Sequence, residues 1–245
     1  MKYVLITGAN KSIGFEAARQ LLQQGYYVYL GSRDLQKGQE AVAQLHAEGL
    51  TEVEPIQLDV TDPTSITAAR QTLGQKTSVL DVLINNAGIS GGMPQPTLTT
   101  SVDVIREVFE TNIFGVVAVT QAFIDLLRQS PAPRIVNVST GLASLTLHQD
   151  PSWRYYNITG AAYHTSKAAL NAYTVMLAQE LRDTPFKVNA VDPGYTATDF
   201  NHHSGPGSVE SAASFIIKHT LTDADAPTGK FFSNDIEDAS GISPW

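Results

Sequence analysis

Tyr163 and Lys167 stand four residues apart at the end of the stretch RYYNITGAAYHTSK, residues 154–167. On a helix, that spacing puts a phenol and an ammonium one turn apart on the same face. A free phenol holds its proton up to a pKa of about 10. A neighbouring positive charge favours the phenolate and draws that value down toward neutral pH, where an acid catalyst works best. Tyr155 and Tyr156 have Thr159 and Gly160 at the same offset and receive no such help. Tyrosine and lysine also occur together on ordinary helix surfaces, so the reading depends on what else converges on the pair.

The elements that would position it are legible as alternating patterns. Short β-rich runs at 3–7, 26–31, 53–60, 80–88, 134–139 and 187–192, with a last one in GKFFS, read as strands. Between them lie helical stripes such as Ile13, Ala17, Ala18, Leu21 and Leu22. Asp62 followed by Pro63 has the form of an N-cap with proline at the first helical position. Longer helices are expected at 101–128 and 160–183, a loop at 193–208 and a helix near 209–219. The alternation predicts an α/β fold: a doubly wound, mostly parallel Rossmann-type sheet of about seven strands with helices on both faces. No linker or repeat interrupts it, so one domain over 1–245 is expected. In such a sheet, ligands sit beyond the carboxyl ends of the strands. The polar clusters fall there: Thr7-Gly8, Ser32-Arg33, Asp59, Asn85 to Gly88, Ser139, and Asp192-Pro193-Gly194.

Composition narrows the function. A formal charge of −8 argues against a general nucleic-acid binder. The chain has no cysteine, so disulfide and thiolate chemistry are both absent. The start, MKYVLITGAN, lacks a secretory signal, and no uninterrupted apolar run of about 20 residues is present. A cytoplasmic protein that neither spans a membrane nor binds nucleic acid is expected. His202 and His203 invite a metal reading, but they are adjacent rather than three or four apart. They are read as loop or substrate wall, with no metal site. No G-x-S-x-G elbow supports a hydrolase built on Ser139.

The turn TGANKSIG (7–14) joins the first strand to the first helix, whose opening N–H groups can hold a phosphate. Here the sequence resembles the short-chain dehydrogenase/reductase family. Thr7, Gly8 and Gly14 match the family's turn T-G-x-x-x-G-x-G, and Ser12 replaces its middle glycine. Asp59-Val60, Asn85-Asn86-Ala87-Gly88, Asn112 in TNIFG, Ser139, Tyr163-x-x-x-Lys167 and DPGYTATD (192–199) follow in the family's order. The resemblance covers nearly the whole chain and has a carbonyl-reductase-like character. It implies reduction of a ketone or aldehyde, or the reverse. Tyr163 would be the acid/base and Ser139 a donor to the carbonyl oxygen. Lys167 would lower the Tyr163 pKa and hold the nicotinamide ribose, and Asn112 would place a relay water. The cofactor would be bound by Gly8, Asn10, Lys11, Ser12, Ile13, Gly14, Arg33, Asp59, Val60, Asn86, Ala87 and Gly88. Tyr163, Lys167, Pro193, Gly194, Thr196 and Thr198 would complete its site.

Strand two ends in Gly31-Ser32-Arg33 rather than in an acidic residue that would accept from the ribose of NAD. Arg33 suits a 2′-phosphate, and Lys11 could add a second charge, so NADP(H) is expected. Asp34 beside Arg33 counts slightly against it. Ser139 and Tyr163 are 24 positions apart, longer than the family's common spacing, so an insert over 145–160 is expected to flank the substrate. Trp153 and Trp245 are read either as lining its entrance or as packing the insert and the C-terminus. A homo-oligomer, dimer or tetramer, is compatible with the resemblance. A non-catalytic, NADP-sensing regulator on the same fold is the alternative, though such proteins tend to lose the tyrosine or lysine. A sugar-nucleotide epimerase would need a larger C-terminal domain.

Overall fold

A computed structural model describes residues 1–236 and 240–245. Among the described residues, the strands are β1 (Tyr3–Ile6), β2 (Tyr27–Ser32), β3 (Val53–Gln57), β4 (Val82–Asn85), β5 (Arg134–Val138), β6 (Lys187–Asp192) and β7 (Phe231–Ser233). The α-helices are α1 (Ser12–Gln23), α2 (Leu35–Ala47), α3 (Pro63–Lys76), α4 (Val102–Phe109), α5 (Gly115–Leu127), α6 (Tyr163–Glu180) and α7 (Val209–Thr220). One sheet runs in the order β3-β2-β1-β4-β5-β6-β7, and every ladder in it is parallel, where a mostly parallel sheet was expected.

Successive strand residues point to opposite faces, so each strand feeds two cores. Val4, Ile6, Val28 and Leu30 pack with Ala17, Leu21 and Ile216 on one face. Leu5, Leu83, Ile135 and Val188 pack with Leu73, Phe123 and Leu181 on the other. Both faces are therefore covered, which is why these strands read as continuous apolar runs. The order of strands reverses between β1 and β4, so the crevice between their carboxyl ends is the place where this architecture takes a ligand.

The helix boundaries follow local chemistry. Asp62 accepts from the Thr64 N–H at 2.9 Å, and Pro63 opens α3 as its type and place predict. The helix expected over 101–128 departs from expectation at one point. It is continuous from Val102 to Leu127, but Glu110–Phe114 is a π-helical turn. By length and composition it could also cross a membrane. Its apolar face, however, lies on the sheet, with Val119, Phe123 and Leu127 fully buried. The extra residue of the π turn faces Asn112 inward and ends at Gly115.

Gly115 has no room to be anything else. A Cβ there would stand 2.8 Å from the Val60 carbonyl oxygen and 2.9 Å from its Cγ2. The helix thus touches the backbone just beyond β3, and that contact sets how far Asn112 reaches into the crevice. Gly115→Ala is expected to lose roughly 1–3 kcal/mol by overpacking. Urea unfolding would show this as a lower midpoint at unchanged slope.

Candidate active site

The glycine turn is built against the end of β4. Thr7 Oγ1 accepts from the Asn86 and Ala87 N–H groups, both at 3.0 Å. Asn86 Nδ2 returns two bonds, to the Thr7 and Gly8 carbonyls at 3.0 Å each. Gly14 is pressed so close that a Cβ would lie 2.5 Å from Asn86 Nδ2. The first intrahelical bond of this turn runs from Phe15 N to Lys11 O. The N–H groups of Ser12, Ile13 and Gly14 therefore point out of the helix end without helical partners. Ser12, where the family's pattern has glycine, takes φ +53°. A serine in the left-handed region carries roughly 1–2 kcal/mol of strain that glycine would avoid.

Along α6, residues 163, 167 and 171 form one stripe against the carboxyl end of β5. Lys167 Nζ donates to the Val138 carbonyl at 2.7 Å. Ser139 Oγ donates to Asn171 Oδ1 at 2.7 Å. Thr140 interacts with the Tyr163 hydroxyl. Asn112 closes the site from the π turn. Its Nδ2 donates to the Ile89 carbonyl at 2.9 Å and to Ser166 Oγ at 3.0 Å, and its Oδ1 accepts from Ile89 N. A side chain on Gly88 would begin 3.2 Å from Asn112 Oδ1 and 3.5 Å from Lys167 Nζ. The structure thus gathers Asn86, Ala87, Gly88, Asn112, Ser139, Tyr163 and Lys167 beside the glycine turn.

One expectation is corrected. Burial, the largest influence, pushes the Tyr163 phenol well above the ordinary tyrosine range. Asp192 pushes it the same way, and Thr140 pulls it back in part. Lys167 does not lower it here. Its ammonium is occupied by the Val138 carbonyl, and burial brings its own pKa down to about 8. The four-residue spacing puts the two groups on one face, but it does not make the lysine point at the phenol.

Arg33 is exposed just past β2. Asp34 caps α2 through one carboxylate oxygen, Oδ1, which accepts from Gln36 N at 2.9 Å and Lys37 N at 3.3 Å. Asp59 folds back on Thr61, which leaves its second carboxylate oxygen for a ligand. Lys11, expected near a phosphate, reaches Asp199 Oδ2 at 3.0 Å and ties the glycine turn to the loop after β6. Asp199 Oδ1 also holds His203 Nε2 at 2.9 Å, which accounts for that histidine. In the same loop, Thr196 and Thr198 are buried. The Thr196 hydroxyl donates to Gly194 O, and Thr198 N donates to Asn201 Oδ1.

The insert runs through turns pinned to the C-terminal segment. Arg154 pairs with Asp235 at 2.7 Å, and Thr146 N donates to Trp245 O at 2.9 Å. Trp153 packs edge-on against His148 and Tyr155, and Trp245 stacks on Phe231. Both tryptophans therefore pack these segments. The C-terminal ending also includes residues 237–239, which lie outside the described residues. The Phe200 ring centroid lies 5.4 Å from that of Tyr163, and Leu145, Tyr156, Ile158 and Tyr195 are exposed on the insert and the loop after β6.

Three residues that the structure puts at the site were assigned no site role from the sequence. Gln95 is buried in a distant loop and caps the start of α6, its Oε1 accepting from Ala162 N at 3.1 Å and Tyr163 N at 3.0 Å. No sequence signal marks it. Asn171 continues the stripe one turn past Lys167, and that spacing is a usable signal. Asp192 is buried and accepts from Ser233 Oγ at 2.6 Å and Gly194 N at 3.0 Å. Burial raises its carboxyl to about 6, which lies above its ordinary range, so ionising it opposes folding. Relative to Asp192→Asn, the parent should lose stability as pH rises from about 4 through 6, by roughly 2–3 kcal/mol. Paired denaturation curves across that window would isolate this effect from that of His164 and His219. Their pKa values, lowered to about 4, act in the opposite direction.

With this geometry in hand, comparison with known proteins is informative. The sequence profile described as short chain dehydrogenase matches residues 2–208. A (+)-neomenthol dehydrogenase from Capsicum annuum is 32% identical over 94% of this chain and 95% of its own. The structure of salutaridine reductase from Papaver somniferum superposes with a TM-score of 0.83 at 30% identity, covering 96% of this chain and all of that one. The NADPH-bound carbonyl reductase from chicken fatty liver gives a TM-score of 0.84 at 26% identity, over 100% of this chain and 99% of that one.

Proposed function

The chain belongs to the short-chain dehydrogenase family and is an oxidoreductase, and on that premise we propose that it is an NADPH-dependent reductase of ketones or aldehydes, acting as one catalytic unit over 1–245. The observation that carries this reading is the stripe of α6 against β5, which brings Tyr163, Lys167 and Ser139 to the mouth of the switch-point crevice. The residues present suit a dinucleotide. Outward N–H groups at the start of α1 and the stapled turn at Asn86 would cradle its phosphates, and Asp59 would face its adenine ring. When bound, NADPH would supply a hydride to the carbonyl carbon.

The remaining steps belong to the protein. Ser139 orients the carbonyl oxygen, and Tyr163 gives it a proton. A phenol whose pKa is raised by burial stays protonated at neutral pH, which is the form that a reduction consumes. An alkoxide is far more basic than a phenolate, so the transfer runs downhill. Lys167, at about 8, would resupply a proton toward Tyr163 through bridging water rather than by direct contact, from the Asn112 side. Gly88 brings Asn112 and Lys167 together there. The apolar rim of Phe200, Tyr195 and the insert favours an uncharged substrate, which the insert and the loop after β6 would select.

Arg33 supports NADPH over NADH, because it is exposed at the end of β2 and has no ion pair with a described residue. Asp34 beside it is partly engaged in capping α2. The chicken carbonyl reductase, solved with NADPH, supports the same choice.

Tyr163→Phe should abolish turnover on a carbonyl panel while NADPH still binds, as read by nucleotide fluorescence; retained activity would end the assignment. Arg33→Ala should lower kcat/KM for NADPH about tenfold or more and leave NADH nearly unchanged. An unaltered NADPH-to-NADH ratio in that variant would remove Arg33 from the cofactor site.

A further inference from the structure

This inference rests on the reductase reading above and concerns how Ser139 becomes a donor. To orient a carbonyl, Ser139 must offer its hydroxyl proton to the substrate. In the structure that proton goes to Asn171 Oδ1 instead, at 2.7 Å. Both side chains are buried, each 3% exposed. A hydroxyl has one proton, so Ser139 held this way has none left for a substrate. Meanwhile Asn171 Nδ2 is buried and finds no hydrogen-bond partner among the described residues.

An amide's oxygen and nitrogen are alike in size, and the same side chain fits its space in either orientation. We propose that Asn171 is the positioning residue for Ser139, presenting its amide N–H to Ser139 Oγ when a carbonyl occupies the site, so that the Ser139 proton is released to the carbonyl oxygen. The turned amide gives an N–H bond to Ser139, and Ser139 gives its O–H bond to the substrate. Bonds in such a chain polarise one another, so the serine becomes a stronger donor to the charge that develops on the oxygen. The previously unpartnered Nδ2 gains an acceptor. Position 171 lies on the stripe that already carries Tyr163 and Lys167, so helix α6 would hold the acid, the lysine and the residue that steers Ser139.

Asn171→Asp tests the direction of the bond. A carboxylate has only acceptors, so it would keep the Ser139 proton permanently. At pH 8, kcat should fall about 100-fold while the NADPH dissociation constant stays within about twofold. Asn171→Leu removes the amide but leaves the serine free, and should lose less, about tenfold. In a Ser139→Ala background, either change should cost less than about twofold more, because Asn171 then has nothing to steer.

Asn171→Asp with more than half the parent kcat overturns the proposal, and so do losses that multiply with that of Ser139→Ala. If thermal melts show that the aspartate variant does not fold, the leucine variant decides. Full activity there, or multiplicative loss, is equally fatal. A parent chain without turnover on any carbonyl would sink the reductase reading itself, and this inference with it.

Discussion

A single buried ammonium holds the site in place. Lys167 is buried, pairs with no carboxylate among the described residues, and donates to the backbone carbonyl that ends β5. A buried cation without a partner is costly, so this bond locks the rotation of α6 against the strand. Everything else on the helix follows from that lock. One turn toward the N-terminus, Tyr163 comes under Thr140. One turn toward the C-terminus, Asn171 comes under Ser139. The same contact explains why the lysine's charge does so little for the phenol in this arrangement.

The second constraint is that two backbone segments come closer than side chains normally allow. Gly14 lies against Asn86, and Gly115 lies against Val60. The first fixes the phosphate turn to the end of β4, and the second fixes the π turn that turns Asn112 inward. Around these close approaches the chain tolerates strain. Ser12, His202 and His203 all take positive φ without being glycine. They flank the two segments, turn and loop, that meet at Lys11 and Asp199. Left-handed residues of this kind persist where the surrounding structure over-determines them.

Much of this was readable before any coordinates. Strand positions, the Asp62-Pro63 helix start and the collection of polar residues on one sheet edge follow from periodicity and capping, which are local. What was not legible depends on contacts between distant residues. Gln95 caps α6 from 68 positions before Tyr163. Lys11 meets Asp199 across 188 positions. The π turn replaces an α turn because helix and sheet must meet at Gly115, and helical period alone cannot show that. The expected lowering of the Tyr163 pKa by Lys167 fails for the same reason. Helical spacing gives which residues share a face, but burial and the Val138 carbonyl decide where the lysine's proton-rich end points.

The link between Lys11 and Asp199 has a consequence of its own. Both side chains are exposed, and such pairs weaken as dissolved ions screen them. The loop after β6 is therefore tethered most firmly in dilute buffer and only lightly at cellular ionic strength. The contact between the glycine turn and that loop carries a counter-ion dependence. The buried stripe on α6, shielded from the solvent, does not share it.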